Sequence, residues 1–333
     1  MNKRELIKRL SIFALVLLLL CGGWLLIKKQ PSTLSRTFFT ADTVCTITLY
    51  DGSEDLLDAA VELTNSIAGK LNCYDEKAEL FLLNKNKKLL TPSAELKAAT
   101  QIGIKYSALG QNGIFDITIR PVTKLWDFKN GIAPTRENIQ NALKNVDYKN
   151  IKIMDNGITL ENDAEIDLGS VAKGYIAKNI SDFLLKNGVK SAIINLGGNV
   201  TVLGDNNGDA FNVGIQNPFG EGNFAVVEAK DISIVTSGTY QRSFEKGGIL
   251  YHHLLNAKTG MPENNNLCSV TIITTNTAEA DAMSTLCFLL GEKAGMQLIE
   301  KTAGFEAVFI DQNQNITVSS GLAINGQNEI TLK

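Results

Sequence analysis

A long apolar segment near the amino terminus most constrains what this chain can fold into. It runs from Leu10 to Ile27, broken only by one serine and two glycines, and it follows a cluster of Lys and Arg residues. A segment of this length can just cross a bilayer, and the preceding charges favour a cytoplasmic amino terminus. We therefore expect residues 1–29 to form a membrane anchor, 30–36 a linker, and 37–333 a domain outside the cytoplasm.

A cleaved lipoprotein signal is the alternative interpretation of the same segment. Leucines precede Cys21 and a glycine follows it, but Leu20 occupies the position where signal peptidases require a small residue. The apolar run also continues past Cys21 to Ile27. An uncleaved anchor is therefore favoured over a lipid anchor at Cys21, and both tether the protein to a bacterial cytoplasmic membrane.

The rest of the chain has the composition of an ordinary globular protein. Of its 333 residues, 44% are hydrophobic and 20% are charged, which suffices for a large core. The net charge is -3 and the Lys and Arg residues are scattered, so we expect no nucleic-acid partner. Cys45, Cys73, Cys268 and Cys287 form no Cys-x-x-Cys pair. We expect buried free thiols, with a disulfide in an oxidising compartment as the alternative.

The spacing of apolar residues alternates between helical and strand-like patterns along the chain. Helical spacing is found in 55–71, 92–109, 172–186, 277–290 and 292–301. Strand-like patterns are found in 45–50, 191–196, 211–235, 251–255, 269–275, 307–310 and 316–318. Because there is no internal repeat and no Pro-rich hinge after the linker, these patterns predict a mixed α/β fold with one continuous domain.

The segment 113–121 reads as a turn glycine followed by a short alternating strand that a proline ends. On such a strand Asp116 would face one way, and Phe115 and Ile117 the other. Asp116 would then contact a ligand or satisfy a neighbouring loop. The residues alone leave both roles open.

The segment 165–174 places a strand end, a Gly-Ser turn and a helix start within ten residues. A helix amino terminus offers unpaired N–H groups, so a phosphate could bind there with Lys173 completing the neutralisation. The alternative is that Asp167 and Ser170 act only as capping residues. A further strand runs into two glycines at 195–199, a pattern that more often makes only a tight turn.

His252 and His253 are the only histidines of the chain. On a strand they would point to opposite faces, so at most one could face a shared site. His253 could act as a base on a hydroxyl group, because imidazole titrates near neutral pH. The alternative is a core histidine bonded to a carbonyl group.

Asp281 and Thr285 lie four residues apart at the start of a predicted helix, so they share one face of it. A carboxylate and a hydroxyl oxygen suit a hard cation that prefers oxygen ligands. A zinc site would instead require His or Cys. Capping does not explain Thr285, so this pair is a candidate cation site.

Taken in order, these segments resemble the ApbE-type FAD:protein FMN transferases. The resemblance covers nearly all of the chain after the anchor. It is carried by 71–75 with 79–80, 113–121 with 125–126, 166–174, 195–198, 237–240, 251–262 and 280–285. It implies an α/β fold with a single catalytic domain in which FAD lies in a cleft.

The resemblance also implies a role for individual residues. Tyr74 would stack near the flavin. The other cofactor-binding residues would be Ile114, Phe115, Asp116, Asp167, Lys173, His253 and Leu255. Mg²⁺ would be held by Asp281, Thr285 and Ser170, the last through its backbone carbonyl, and the catalytic residues would be His253 and Asp281.

The implied reaction is Mg²⁺-dependent transfer of FMN from FAD to a Thr or Ser hydroxyl of an acceptor protein, with release of AMP. The implied acceptors are extracytoplasmic electron-transport proteins, including subunits of membrane redox complexes. An FAD pyrophosphatase that yields FMN and AMP, and a protein that binds FAD without chemistry, are the alternatives. The chain departs from the family at Ala41-Asp42-Thr43, where Met-Gly-Thr or Met-Asp-Thr is usual, and at Asn256-Ala257, where Asp-Pro is common.

Overall fold

The computed structural model describes residues 33–333. The predicted anchor, residues 1–29, and its candidate lipid site lie outside the described residues. In the described part, no helix is long and apolar enough to span a bilayer. The first strand begins at Leu34, inside the segment 30–36 that we predicted as a linker.

Helices and strands are mixed along the whole described part of the chain. The helices there are α1 (Glu54–Lys70), α2 (Glu79–Asn86), α3 (Ala94–Leu109), α4 (Arg120–Thr123), α5 (Arg136–Leu143), α6 (Ala172–Lys186) and α7 (Thr277–Ile299). The strands are β1 (Leu34–Thr40), β2 (Thr43–Leu49), β3 (Lys88–Leu90), β4 (Ile151–Met154), β5 (Gly157–Leu160), β6 (Ala192–Leu196), β7 (Asn199–Leu203), β8 (Phe211–Gln216), β9 (Asn223–Ala229), β10 (Ser233–Gly238), β11 (Ser243–Lys246), β12 (Ile249–His252), β13 (Leu267–Thr274), β14 (Phe305–Asp311), β15 (Ile316–Val318), β16 (Leu322–Ile324) and β17 (Glu329–Leu332). The mixed α/β class predicted from the sequence is confirmed.

A large antiparallel sheet forms the centre of the fold. Within residues 33–333 it has eight strands in the order β1-β2-β6-β7-β10-β13-β14-β15. Every residue of β13 is buried, so both faces of the sheet are covered at its centre. On one face, Val270 and Ile272 join a cluster shared with α1, α6 and α7. On the other, Ile273 joins a cluster with the smaller sheet β16-β17-β9-β8.

The predicted helices are present with boundaries close to those expected, whereas α2, α4 and α5 were not predicted. Ser53 and Ser93 cap α1 and α3, each accepting a hydrogen bond from a backbone N–H three residues later. The helix predicted for 172–186 is α6. The two helices predicted for 277–301 form α7, which breaks at Gly291, where φ is 77°. Glycine adopts this conformation without the steric cost that other residues would meet.

The strand predicted for residues 113–121 is wrong. These residues form turns that lead into α4, and Ile119 makes only an isolated bridge with Glu165. The alternation fails because Asp116 is buried like its neighbours and bonds to nearby backbone. Its Oδ1 accepts hydrogen bonds from the N–H and the hydroxyl of Thr118, at 2.8 and 2.6 Å, and its Oδ2 accepts one from the N–H of Tyr148 at 2.9 Å.

The strand predicted for residues 251–255 is correct only in its first part. β12 ends at His252, and His253 to Leu255 are irregular apart from an isolated bridge between Leu255 and Pro262. The strand stops because the chain turns back on itself, with the carbonyl of Leu254 accepting the N–H of Glu263 at 2.9 Å. The side chain of His253 is therefore placed by a loop.

The four cysteines of the described part are buried free thiols, as predicted. Burial raises the pKa of each thiol. Because the thiolate is the reactive form, these side chains are poor nucleophiles.

Candidate functional site

A cleft is lined by residues of α6 and α7 and by residues of the segments 114–128 and 236–255. Its volume is about 1120 Å³, slightly above the usual range for ligand pockets. Its wall includes most of the predicted site residues: Tyr74, Phe115, Asp116, Asp167, Ser170, Lys173, His253, Leu255, Asp281 and Thr285. Ile114 is not part of the wall. Its side chain packs against the main core, and its carbonyl accepts the N–H of Ala257 at 3.0 Å.

The predicted cation ligands come from two helices that approach closely. Asp281 and Thr285 lie one turn apart on α7, and Ser170 stands just before α6. A Cβ atom on Gly174 of α6 would lie 2.9 Å from the carbonyl oxygen of Thr277 and 3.1 Å from Cβ of Asp281. Because glycine has no side chain, α6 and α7 can approach closely at Gly174, and this approach brings Ser170 and Asp281 to the same part of the cleft.

Asp281 is a buried carboxylate, with a side chain only 4% exposed. Its Oδ1 accepts a hydrogen bond from the amide of Asn199 at 2.9 Å and lies 3.3 Å from Nζ of Lys173. A buried carboxylate requires such partners, because losing water costs it several kcal/mol. One turn further along α7, the hydroxyl of Thr285 lies 3.2 Å from the hydroxyl of Ser237.

This set of oxygen atoms fits Mg²⁺. Within residues 33–333 no group of three or more His, Cys, Asp or Glu residues could hold a metal ion. The described residues therefore provide no zinc-type site here. Mg²⁺ commonly binds through one or two carboxylates and keeps its other positions for water and substrate phosphates. One carboxylate, neighbouring hydroxyls and a backbone carbonyl match that pattern.

The amino terminus of α6 is uncapped and borders the cleft. Its first flanking residue is Val171, and no side chain makes a capping hydrogen bond. The capping alternative is therefore wrong for this helix. Asp167 instead accepts hydrogen bonds from the N–H of Gly169 at 2.9 Å and from the hydroxyl of Thr123 at 2.8 Å. The first turn of α6, with Lys173, can thus receive an anion.

His253 faces the cleft with one ring nitrogen already engaged. Its Nδ1 lies 2.9 Å from the carbonyl oxygen of Gln241. A carbonyl only accepts, so Nδ1 carries the proton and Nε2 keeps a lone pair. Burial, together with the positive charges of Arg242 and Lys173, lowers the pKa of His253 to about 3. The ring is thus bonded to a carbonyl, as the second interpretation of the sequence expects, and it is uncharged with a lone pair on Nε2.

His252 points away from the cleft, in agreement with the expectation that only one histidine faces the site. It is buried, and its ring meets Phe288 edge-on, with the ring centroids 5.7 Å apart. Its Nε2 lies 3.2 Å from the carbonyl oxygen of Glu263, and its buried Nδ1 has no partner within the described residues. Burial lowers the pKa of His252 to about 4.

Aromatic side chains form the other side of the cleft. Tyr74 is 69% exposed, and the guanidinium of Arg120 lies 4.0 Å from the centroid of its ring. Trp126 and Phe128 also line the cleft and are stacked at 5.6 Å. Trp126 belongs to a segment that carries the family resemblance, but the sequence assigned neither of these two residues a role, although their alternate spacing after segment 113–121 was a usable signal. A flat ring system can be held against such a surface.

In the cleft, each of the two basic side chains is paired with an aspartate. Among the described residues, its wall carries Lys173, Arg242 and the four aspartates Asp42, Asp116, Asp167 and Asp281. Lys173 is paired with Asp281, and Arg242 lies 2.9 Å from Asp42. Sequence reasoning missed Arg242, because its partner is 200 positions away. An anionic ligand therefore requires an added cation, or a cation that changes partner.

Comparison with known proteins gives one consistent family. The model of the ApbE family matches residues 41–309. The FAD:protein FMN transferase of Treponema pallidum is 32% identical over 63% of this chain and 64% of its own length. The FAD:protein FMN transferase of Klebsiella pneumoniae is 34% identical over 65% of this chain and 69% of its own length. The chain thus spans about two thirds of the length of these relatives.

Solved structures share the fold. The ApbE protein of Thermotoga maritima superposes with a TM-score of 0.79 at 26% identity, covering 87% of this chain and 97% of that one. The flavin transferase ApbE from Vibrio cholerae gives a TM-score of 0.78 at 22% identity, with the same coverage.

Proposed function

The chain belongs to the ApbE family, and from this membership we propose that it transfers the FMN part of FAD to a hydroxyl group of another protein. The observation that carries the proposal is the arrangement of the cleft. An oxygen-rich cation site, an uncapped helix amino terminus and a neutral histidine with a free lone pair line one cavity. The relatives that bear the name FAD:protein FMN transferase support the choice of substrate.

FAD is proposed to lie along the cleft with its flavin against Tyr74. Its pyrophosphate then lies at the amino terminus of α6, where free N–H groups and Lys173 favour negative charge. Ser170, Asp281 and Thr285 would hold Mg²⁺. When bound, Mg²⁺ neutralises charge on the phosphate oxygens. The added cation offsets the excess negative charge of the cleft wall, where four aspartates outnumber two basic side chains.

His253 is proposed to take the proton of the acceptor hydroxyl. The hydroxyl oxygen forms a bond to the phosphorus nearest the flavin, the bond from that phosphorus to the bridging oxygen breaks, and AMP leaves. The hydrogen bond to Gln241 fixes the ring so that Nε2 receives the proton. Bound phosphates oppose the charges of Arg242 and Lys173, so the pKa of His253 rises when substrate arrives.

The acceptor and the location belong to the proposal as well. The apolar segment 10–27 tethers the protein to the bacterial membrane, by a span or by a lipid on Cys21, with the catalytic domain outside the cytoplasm. Acceptors are then electron-transport proteins exposed on that side. Mass spectrometry of the mature amino terminus separates the two forms of anchor, and an amino terminus that lacks residues 1–29 and carries no lipid would contradict both.

The test is to incubate the purified full-length chain with FAD, Mg²⁺ and a candidate acceptor. Transfer predicts covalent flavin fluorescence on the acceptor and equimolar AMP. Both should disappear when Mg²⁺ is chelated, and labelling should disappear when the acceptor Thr or Ser is replaced by Ala. Free FMN without labelling would replace the proposal with a pyrophosphatase, and unchanged FAD with a binding protein.

A further inference from the structure

The two cations of the cleft sit in very different ion pairs. The pair of Lys173 with Asp281 is enclosed, with side chains 26% and 4% exposed. The pair of Arg242 with Asp42 is open to solvent, with side chains 53% and 78% exposed. Breaking an enclosed pair leaves a buried charge without a partner, which is costly. An exposed pair contributes little to stability, so its members can change partners readily. Arg242 is therefore the cation that can change partner.

The open pair joins two distant segments of the cleft wall. Asp42 lies in the turn between β1 and β2, where it and Ala41 both have positive φ angles, of 57° and 50°. Arg242 lies in the loop that follows β10. Its Nη2 lies 2.9 Å from Oδ2 of Asp42 and donates a hydrogen bond to the backbone carbonyl of the same residue at 3.2 Å. Both residues border the cleft, so a ligand that enters it meets this pair.

Arg242 is also close to the groups that we assign to the chemistry. It directly follows Gln241, whose carbonyl holds the ring of His253. Its charge acts on that ring together with the charge of Lys173. A guanidinium presents paired N–H donors that match phosphate oxygens, so it binds a phosphate at least as well as a carboxylate.

We propose that Arg242 is an FAD-positioning residue that exchanges Asp42 for the pyrophosphate, and that Asp42 acts as an internal competitor that weakens FAD binding. This inference rests on the proposed function, because it takes FAD as the ligand of the cleft. Asp42 occupies the guanidinium in the free protein. The phosphates displace it when FAD binds, and the turn between β1 and β2 is then released from the loop after β10.

The proposal predicts changes of opposite sign in two neighbouring variants. Arg242→Gln should weaken FAD binding about tenfold, because a charge-assisted contact to phosphate is lost. Asp42→Asn should tighten binding about threefold, because the competitor is lost while Asn still tolerates the positive φ. The double variant should bind FAD like Arg242→Gln alone, because Asp42 acts only through Arg242.

Flavin fluorescence titrations of the full-length chain measure these affinities in Mg²⁺ buffer. Glu62→Gln and Lys246→Gln are matched controls, since each removes one exposed charge outside the cleft wall and should leave the affinity unchanged. Riboflavin, which has no phosphate, should bind all variants equally. An Asp42→Asn variant that binds FAD more weakly, or a double variant that differs from Arg242→Gln, would overturn the exchange. A wild-type chain that binds no FAD would instead overturn the proposed function.

Discussion

The cleft has two walls that are built in different ways. The helical wall consists of Ser170, Lys173, Asp281 and Thr285, held by α6 and α7, which meet at Gly174. The loop wall consists of Tyr74 and of the cleft-lining residues of segments 115–128 and 236–255, among them Trp126, Arg242 and His253, held by turns and aromatic contacts. The helical wall carries the predicted cation site and its paired lysine, whereas Asp116, Arg242 and His253 stand on the loop wall. The comparison teaches that the groups expected to hold a metal ion lie where the backbone is most constrained, because a small displacement there changes a cation site most.

Asp281→Asn is expected to have the largest effect on activity. The amide removes the one carboxylate of the predicted cation site and leaves Lys173 without its buried partner. We expect a loss of roughly a thousandfold or more in kcat, measured as labelled acceptor, and a matching loss of Mg²⁺ affinity in calorimetry. Asp182→Asn, on the exposed side of α6, is the control and should retain wild-type turnover. Normal Mg²⁺ affinity in Asp281→Asn would remove the cation site from the helical wall.

His253→Gln tests whether the loop wall takes part in the chemistry or only in binding. A base that accepts the hydroxyl proton contributes about a hundredfold or more, so kcat should fall by that amount while the Kd for FAD changes little. Glutamine can still donate to the carbonyl of Gln241, which preserves the local contact. If kcat is preserved and only FAD binding weakens, the helical wall performs the reaction alone.

The helical wall was also the wall that the sequence predicted well. α6 matches its predicted range, and the spacing of Asp281 and Thr285 placed them on one helix face. Such local periodicity survives folding because each helix satisfies its own backbone groups. The sequence did not reveal how closely α6 and α7 approach. That contact depends on the absence of a side chain in glycine at position 174, which faces the carbonyl oxygen of Thr277, far away along the chain.

The loop wall was harder to predict, for a physical reason. Segment 113–121 alternates like a strand, but the partners of Asp116 include the N–H of Tyr148, 32 positions away. Likewise, the partner of Arg242 is Asp42, 200 positions away along the chain. Irregular backbone is stabilised by such distant contacts, and no periodicity in one sequence reports them.

Gly174→Ala is expected to disturb the helical wall by a smaller amount. The new Cβ would lie 2.9 Å from the carbonyl oxygen of Thr277, so α6 and α7 must move apart. We expect a loss of about 1–3 kcal/mol in the free energy of unfolding, measured by denaturant titration, and weaker Mg²⁺ binding. Gly69→Ala in α1 is the matched control. A Cβ atom added at Gly69 would meet nothing within 4 Å, so this variant should gain up to about 1 kcal/mol. Equal effects of the two substitutions would show that the helix approach is not tight.

The smallest expected effect concerns the two histidines, which are neighbours in sequence but lie in the core and in the loop wall. Burial holds the pKa of His252 at about 4, below its ordinary value of 6.5. Between pH 6.5 and pH 4, His252 is protonated in the unfolded chain but neutral in the folded chain. The free energy of unfolding therefore falls as the pH falls through this window. His252→Gln cannot titrate. The loss of unfolding free energy between pH 7 and pH 5 should therefore shrink by about 1–2 kcal/mol relative to the wild type. Denaturant titrations at both pH values measure it with His253 as the remaining histidine, and an unchanged loss would mean that the core does not hold His252 neutral.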